Sequence, residues 1–392
     1  MIKKRKICII TGSRADYGLL YWLIKDVSED DSLELQLVVT GMHLSPEFGL
    51  TYKQIVKDGS EIDYKVEMLL SSDTAVSTSK SMGLGIIGFA DAYETLKPDL
   101  IVVLGDRFEI FSAVCAAMST RIPVAHIHGG ETTEGAYDES IRHSITKMSH
   151  LHFTSTETYR NRVIQLGEKP QNVFNVGAPG IDNIKRLNLL SLNEFEKSID
   201  FMLDKKNLLV TFHPVTLENT SAEQQFLCLL KALDGLHNTH IIFTKANADT
   251  GGRIINNMID EYVNLHLDKA ISFTSLGQLR YLSAMQYVDG VIGNSSSGLI
   301  EAPTFNIGTV NIGDRQKGRI KAESVIDCLP TVSSIKDALT KLYSTNFNKK
   351  LKSVKNPYGE GITSERILDI IKTFSYIGLI KKKFYDQVMK IE

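Results

Sequence analysis

Short runs of consecutive apolar residues recur along the chain, separated by longer stretches with helical spacing. Lys6–Ile10, Leu33–Val39, Leu100–Leu104, Pro123–Ile127 and His150–Phe153 read as strands, and Tyr17–Val27 as a helix between the first two. Runs of Val, Ile and Leu without polar alternation suit strands buried on both faces. Strands that alternate with helices in this way predict a parallel, doubly wound sheet. The series restarts after Asn188, with Asn207–Phe212, His240–Thr244, Ala270–Phe273, Gly290–Ile292 and Thr309–Ile312 as a second set of strands. The polar stretch Ile184–Glu196 is the expected junction. The pattern therefore predicts an α/β protein of two Rossmann-like domains, residues 1–185 and 186–362. A terminal segment, 363–392, carries a helix near Ser364–Ser375 that is expected to pack back on the first domain. No short period repeats, so two similar halves are preferred to a solenoid.

Length agrees with this division, because 392 residues exceed what one ordinary core accommodates. Apolar content of 43% and a charged fraction of 23% are globular values and exclude a disordered chain. A formal net charge of −2 removes the electrostatic case for a nucleic-acid partner, although a few local cations can still hold a small anion. Cys8, Cys115, Cys228 and Cys328 are widely spaced, fit no zinc pattern and read as reduced thiols of a cytoplasmic protein. No stretch approaches the ~20 apolar residues of a membrane span, and the apolar run after the basic N-terminus ends at Thr11-Gly12, too early for a signal peptide.

Open α/β sheets bind ligands beyond the carboxyl ends of their strands. Those ends carry TGSRADYG after the first strand, LGDRFE at 104–109, HIHGGE at 126–131, FHPVT at 212–216, TKANAD at 244–249 and GNSSSG at 293–298. Nearly every distinctive polar cluster thus falls where a ligand is expected. The loop Gly293–Gly298 precedes an apolar helix start, so its backbone N–H groups and serine hydroxyls suit a diphosphate; an ordinary capped loop is the plainer alternative. The first turn lacks both the GxGxxG and Walker patterns, and its Arg14 is either a phosphate ligand or a surface arginine. Asp106 follows four apolar strand residues, where a carboxylate needs either a function or an ion pair with Arg107 or another nearby cation. His213 ends a strand and is either functional or a satisfied structural histidine. His126 and His128 are expected on one strand face, but no HExxH or cysteine partner supports a metal; His150 and His152 read as flanking a core strand. Arg142 and His143 lie on a helix opened by Asp138-Glu139-Ser140 and fit either a functional pair or a solvated face.

Taken in order, RADY, GDRFE, GGE with DESIRH, HPVTLE, GNSSSGLIEAP and NIGDRQKGR resemble the hydrolysing UDP-N-acetylglucosamine 2-epimerase family, over about Lys6 to Arg366. This family includes enzymes of bacterial sialic-acid and legionaminic-acid synthesis. The resemblance implies a glycosyltransferase-B-like fold with the active-site cleft between the two domains. It also implies elimination of UDP to a 2-acetamidoglycal, followed by hydration to the 2-epimeric free sugar, without NAD or a metal. By resemblance, Arg14, His213, Ser295, Ser296, Glu301 and Arg315 hold UDP, with Glu301 on the ribose. Asp106, Glu131, Asp138 and His128 are the catalytic candidates, with Arg107 and Asn247 beside the sugar. The family also implies a homodimer or homotetramer. Two departures stand out: His128 occupies the place of a glutamate usual in the sialic-acid branch, and Leu19 that of a lysine. Both lean toward the legionaminic-acid branch and UDP-N,N′-diacetylbacillosamine, against UDP-N-acetylglucosamine. A glycosyltransferase on the same fold and a non-catalytic nucleotide-sugar sensor are the rivals. The first lacks a basic-apolar acceptor patch, and retention of Asp106, Asp138 and Glu131 speaks against the second.

Overall fold

The computed structural model describes residues 4–72, 74–132, 138–214, 222–246 and 252–387. They divide into two compact units. The first comprises residues up to 132, then 138–183, and the segment from 358 onward; the second comprises 184–357.

The first unit holds a seven-stranded sheet. Its strands in chain order are β1 (Arg5–Thr11), β2 (Leu33–Thr40), β3 (Tyr64–Val66), β4 (Leu100–Leu104), β5 (Val124–Ile127), β6 (Leu151–Thr154) and β7 (Val173–Asn175). Their spatial order is β3-β2-β1-β4-β5-β6-β7, all parallel. The second unit repeats the plan with β8 (Lys206–Thr211), β9 (Thr239–Thr244), β10 (Ala270–Phe273), β11 (Gly290–Gly293), β12 (Gly308–Ile312) and β13 (Val325–Cys328), ordered β10-β9-β8-β11-β12-β13. The doubly wound α/β fold read from the apolar runs is therefore present in both units.

Residues Ile7–Ile10 and Leu100–Val103 are fully buried, the mark of strands covered by helices on both faces. Three strands escaped the sequence reading: β3, β7 and β13. Each is three or four residues long, lies at an edge of its sheet, and is partly exposed, so no apolar run announces it. In each sheet the winding reverses at one place, between β1 and β4 in the first and between β8 and β11 in the second. The connections that follow these paired strands leave toward opposite faces of the sheet, and open α/β sheets bind ligands where they diverge.

The helix Arg14–Glu29 starts where the Ser13 side chain accepts the Asp16 N–H, and it buries Tyr17, Leu20, Leu23, Ile24 and Val27 on one face. Leu19 lies off that stripe, half-buried against the same core. The late helix Thr363–Thr373 packs beside it through Ile367 and Ile371. Both ends of this late helix are satisfied from earlier sequence. The buried Asp182 carboxylate accepts the backbone N–H groups of Thr363 (2.9 Å) and Ser364 (2.6 Å), together with the Ser364 hydroxyl. At the other end Arg5 donates to the carbonyls of Ile371, Lys372 and Phe374 at 2.8–3.0 Å. An anion at the N-terminus and a cation at the C-terminus also match the helix dipole.

Asp182→Ala should therefore destabilise the first unit by about 2 kcal/mol, since buried donors would lose their acceptor. The check is a lower urea midpoint at unchanged slope.

Candidate active site

In the first unit the chemistry collects at the tips of β1, β4 and β5. Beyond β4 the chain turns at Gly105, and Asp106 forms an ion pair with Arg142 of the helix Asp138–Met148. Arg142 is only 4% exposed; its second terminal nitrogen donates to the His128 carbonyl at 3.1 Å and lies 4.0 Å from Glu131 Oε2. One buried guanidinium thus faces two carboxylates, an arrangement that offsets the cost of removing all three charges from water. Glu131 is held from its other side by the Ser155 hydroxyl at 2.8 Å, and His128 Nδ1 stands 3.5 Å from Glu131 Oε1. Asp138 opens the same helix one turn before Arg142. Burial raises its pKa and the charge of Asp106 adds to this, while Arg107 and Arg142 oppose it. A carboxyl that holds its proton more tightly than usual suits proton transfer near neutral pH.

Arg107 does not pair with Asp106. It donates to Glu109 Oε1 at 2.8 Å, and Glu109 is completely buried. Asp16 lies close to this pair, and burial pushes its pKa up to about 6 against the pull of Arg107 and the Ser13 hydroxyl. Arg14, at the first position of the helix Arg14–Glu29, is exposed.

The histidines sort differently from the sequence expectation. His126 ends inside the sheet, fully buried, whereas His128 has left β5 in a left-handed conformation with φ 69°; the two do not share a strand face. His126 Nε2 lies 2.8 Å from the Gly105 carbonyl, which only accepts, so Nε2 carries the hydrogen and Nδ1 faces the Thr146 hydroxyl at 3.1 Å. Burial lowers its pKa to about 3 and keeps the ring neutral. His152, within β6, meets Glu168 at 2.9 Å, and His150 Nδ1 accepts the Val124 N–H at 3.2 Å. Among the described residues no group of three or more His, Cys, Asp or Glu is placed to hold a metal.

The second unit builds a separate cluster at the tips of β8 and β11. The His213 N–H donates to Asn294 Oδ1 at 2.7 Å, and Asn294 Nδ2 returns a bond to the His213 carbonyl at 2.8 Å. This reciprocal pair ties the two strand tips across the point where the winding reverses. Gly293 makes it possible: φ is 133°, and a Cβ there would stand 1.9 Å from the Thr211 carbonyl oxygen. The Asn294 carbonyl accepts from Arg315 (3.0 Å) and Gln316 (2.8 Å), so both the side chain and the backbone of the first residue beyond β11 are held. Ser295 and Ser296 follow directly, before the short turn Ser297–Ile300. The next residue, Glu301, has its Oε2 buried without a hydrogen-bond partner among the described residues, and burial raises its pKa to about 7.

The structure therefore gathers Asp106, Arg107, His128, Glu131 and Asp138 in the first unit, and His213, Ser295, Ser296, Glu301 and Arg315 in the second. Asn247 lies outside the described residues. Sequence reading missed Glu109, Asp16, Asn294 and Gln316, and left Arg142 between a solvated face and a function. The i, i+4, i+8 spacing of Asp138, Arg142 and Thr146 was the available signal, since it places all three on one helix face.

The fold is shared with crystallised nucleotide-sugar epimerases. The crystal structure of UDP-GlcNAc 2-epimerase from Neisseria meningitidis bound to UDP-GlcNAc superposes with a TM-score of 0.81 at 18% identity, covering 94% of this chain and 99% of that one. Sequence carries the assignment further. A family model described as UDP-N-acetylglucosamine 2-epimerase matches residues 25–372, and the chain belongs to this family. Among its relatives is the GDP/UDP-N,N′-diacetylbacillosamine 2-epimerase (hydrolyzing) of Campylobacter jejuni, 46% identical over 348 residues, which are 89% of this chain and 90% of that protein. The UDP-N,N′-diacetylbacillosamine 2-epimerase (hydrolyzing) of Legionella pneumophila is 38% identical, covering 97% and 98%.

Glu301 generates a pH test. Folded, it stays protonated up to about pH 7; unfolded, it ionises near the ordinary glutamate value of 4.5. The folded state binds the extra proton between these values, so stability falls as pH rises across that window. Glu301→Gln should remove this slope, and the stability difference between wild type and variant, measured by urea unfolding from pH 4 to 8, should shift toward the variant as pH rises.

Proposed function

We propose that the protein is a hydrolysing 2-epimerase of a UDP-linked 2-acetamido sugar, with UDP-N,N′-diacetylbacillosamine as substrate. A base takes the C2 proton and the C1–O bond to UDP breaks, giving a 2-acetamidoglycal. Water then adds its oxygen at C1 while a proton is delivered to the opposite face of C2. UDP and 2,4-diacetamido-2,4,6-trideoxymannose leave, the latter as a precursor for a nonulosonic acid of the legionaminic type.

The observation that carries this reading is the group around Arg142: two carboxylates, Asp106 and Glu131, on one buried guanidinium, with Asp138 one helical turn away and its pKa raised. Elimination and hydration need proton acceptors and donors on both faces of C2, and paired carboxyls in different environments supply both. His128, beside Glu131, stands where the sialic-acid branch carries glutamate, and it extends the set of proton carriers. In the second unit Ser295, Ser296, His213 and Arg315 take the diphosphate, and Glu301 the ribose hydroxyls. Arg14 adds a cation to the phosphates, and Arg107 and Asn247 serve the sugar. The choice of sugar rests on the two relatives named above for N,N′-diacetylbacillosamine, against a Neisseria meningitidis UDP-N-acetylglucosamine 2-epimerase at 33% identity. Leu19 contributes little to that choice, because it packs against the core. A homodimer or homotetramer in the cytoplasm completes the proposal; among the described residues no helix is long and apolar enough to cross a membrane.

A second reading differs in the nucleotide alone. The name of the Campylobacter jejuni relative admits GDP, so the base is the open element of the donor.

Incubation in heavy water with UDP- and GDP-N,N′-diacetylbacillosamine and with UDP-N-acetylglucosamine, followed by proton NMR, tests these readings. The expected result is release of UDP with a 2-epimeric sugar deuterated at C2, fastest from UDP-N,N′-diacetylbacillosamine. Retained nucleotide-sugar that equilibrates at C2 would make the enzyme non-hydrolysing, and no change at all would favour the transferase or sensor. Asp106→Asn should lower kcat roughly a thousandfold while UDP affinity by calorimetry stays within about twofold.

A further inference from the structure

The helix Asp138–Met148 carries Asp138, Arg142 and Thr146 on one face, and its N-terminal half forms part of the reacting cluster. Its other end is held by a segment that lies outside the family match, which stops at residue 372. After Thr373 the chain continues as a strap over the first unit. Phe374, Tyr376 and Leu379 pack against the core, and the Arg5 guanidinium covers the Tyr376 ring at 4.8 Å. The strap then delivers Lys382 to the C-terminus of the helix. Lys382 Nζ donates to the carbonyls of Lys147 (2.7 Å) and Ser149 (2.5 Å), and to Glu168 at 2.8 Å.

Glu168 is 2% exposed and gathers three partners: Lys382, Lys147 at 2.8 Å and His152 at 2.9 Å. The strap is fastened again just beyond. The Tyr385 N–H donates to the Gly167 carbonyl at 2.9 Å, and the Phe384 ring lies so close over Gly167 that a Cβ there would stand 2.3 Å from it. Lys147 Nζ sits 4.8 Å from the centre of the same ring.

From this we infer that Lys382 is a positioning residue for the reaction. A helix ends with carbonyl groups that lack internal partners, and a cation that binds them fixes the helix along its axis as well as matching its dipole. Lys382 does this for the helix whose first turns set Asp138 and Arg142, and Arg142 in turn sets Asp106 and Glu131. The strap thereby fixes, from the back of the unit, where the carboxyl groups stand relative to the substrate. A misplacement of about 1 Å in such a group costs up to a hundredfold in rate. Among the described residues the hydrogen-bond partners of Lys382 are Lys147, Ser149 and Glu168, none of them in the reacting cluster, so its loss should act on the chemical step through the helix and leave nucleotide binding alone.

The inference rests on the proposed C2 proton chemistry, and the test separates the two. Full-length wild type, Lys382→Met, Lys382→Arg and Phe384→Ala are compared in kcat, in UDP affinity, in the isotope effect of C2-deuterated substrate on kcat, and in hydrogen exchange of residues 138–148. Lys382→Met should lower kcat about tenfold, raise the isotope effect and speed exchange in the helix, with UDP affinity within about twofold. Lys382→Arg should recover most of the rate, and Phe384→Ala should fall between. A loss of rate caused by unfolded protein would reduce the active fraction with the isotope effect unchanged, and that result overturns the inference. Wild-type kcat in Lys382→Met overturns it as well. If wild type shows no C2 exchange, the functional reading fails on its own; the exchange measurement on 138–148 still decides whether Lys382 holds the helix.

Discussion

A single buried cation organises the first unit's chemistry. Arg142 is withdrawn from water, and a guanidinium there is tolerable only if carboxylates and carbonyls meet its N–H groups. Asp106 at the tip of β4, the His128 carbonyl just past β5 and Glu131 on the following turn all converge on it. Two loops and one helix are thereby forced into register by one side chain. The left-handed backbone at His128 and the neutral His126, braced between the Gly105 carbonyl and Thr146, belong to the same constraint, because they fix the loop and the helix that meet at Arg142.

The second unit solves the corresponding problem without a buried charge. Its strand tips are joined by the amide of Asn294, which pairs with the His213 backbone as a neighbouring strand would. The glycine before it permits an approach to Thr211 that no other residue could make. An amide clamp leaves that cluster free of negative charge from its own scaffold, which suits a site proposed to receive a diphosphate. The carboxylate that is present, Glu301, is held by burial closer to its neutral form than an exposed glutamate would be.

Much of the fold was legible in the sequence because parallel strands buried on both faces are written as unbroken apolar runs, as in Leu100–Leu104. The edge strands were illegible for the converse reason: Tyr64–Val66 and Val173–Asn175 bury too little to need such a run. Candidate site residues were legible where a polar group interrupts an apolar strand end, as Asp106 does. Arg142 was harder to read: on a helix that is polar over most of its surface, only the spacing of Asp138, Arg142 and Thr146 marks the inward face, and spacing alone does not say which charge is buried. Asn294 was hidden differently: its role is played by a side-chain amide on backbone atoms, and the serines around it drew attention instead. The pairing of Arg107 with Glu109, two residues on, shows the limit of inferring ion pairs from adjacency.

The cap on the late helix has a bearing on biogenesis. Asp182 is made halfway along the chain, yet the two N–H groups it satisfies belong to Thr363 and Ser364. The second unit, by contrast, is drawn from the uninterrupted interval between them. During synthesis from the N-terminus, that later unit has its full sequence in hand while the earlier one still lacks a helix. The unit that begins to emerge before the other is therefore the later to be completed, and a nascent chain stalled before residue 358 would present the exposed flank of the Arg14–Glu29 helix to chaperones.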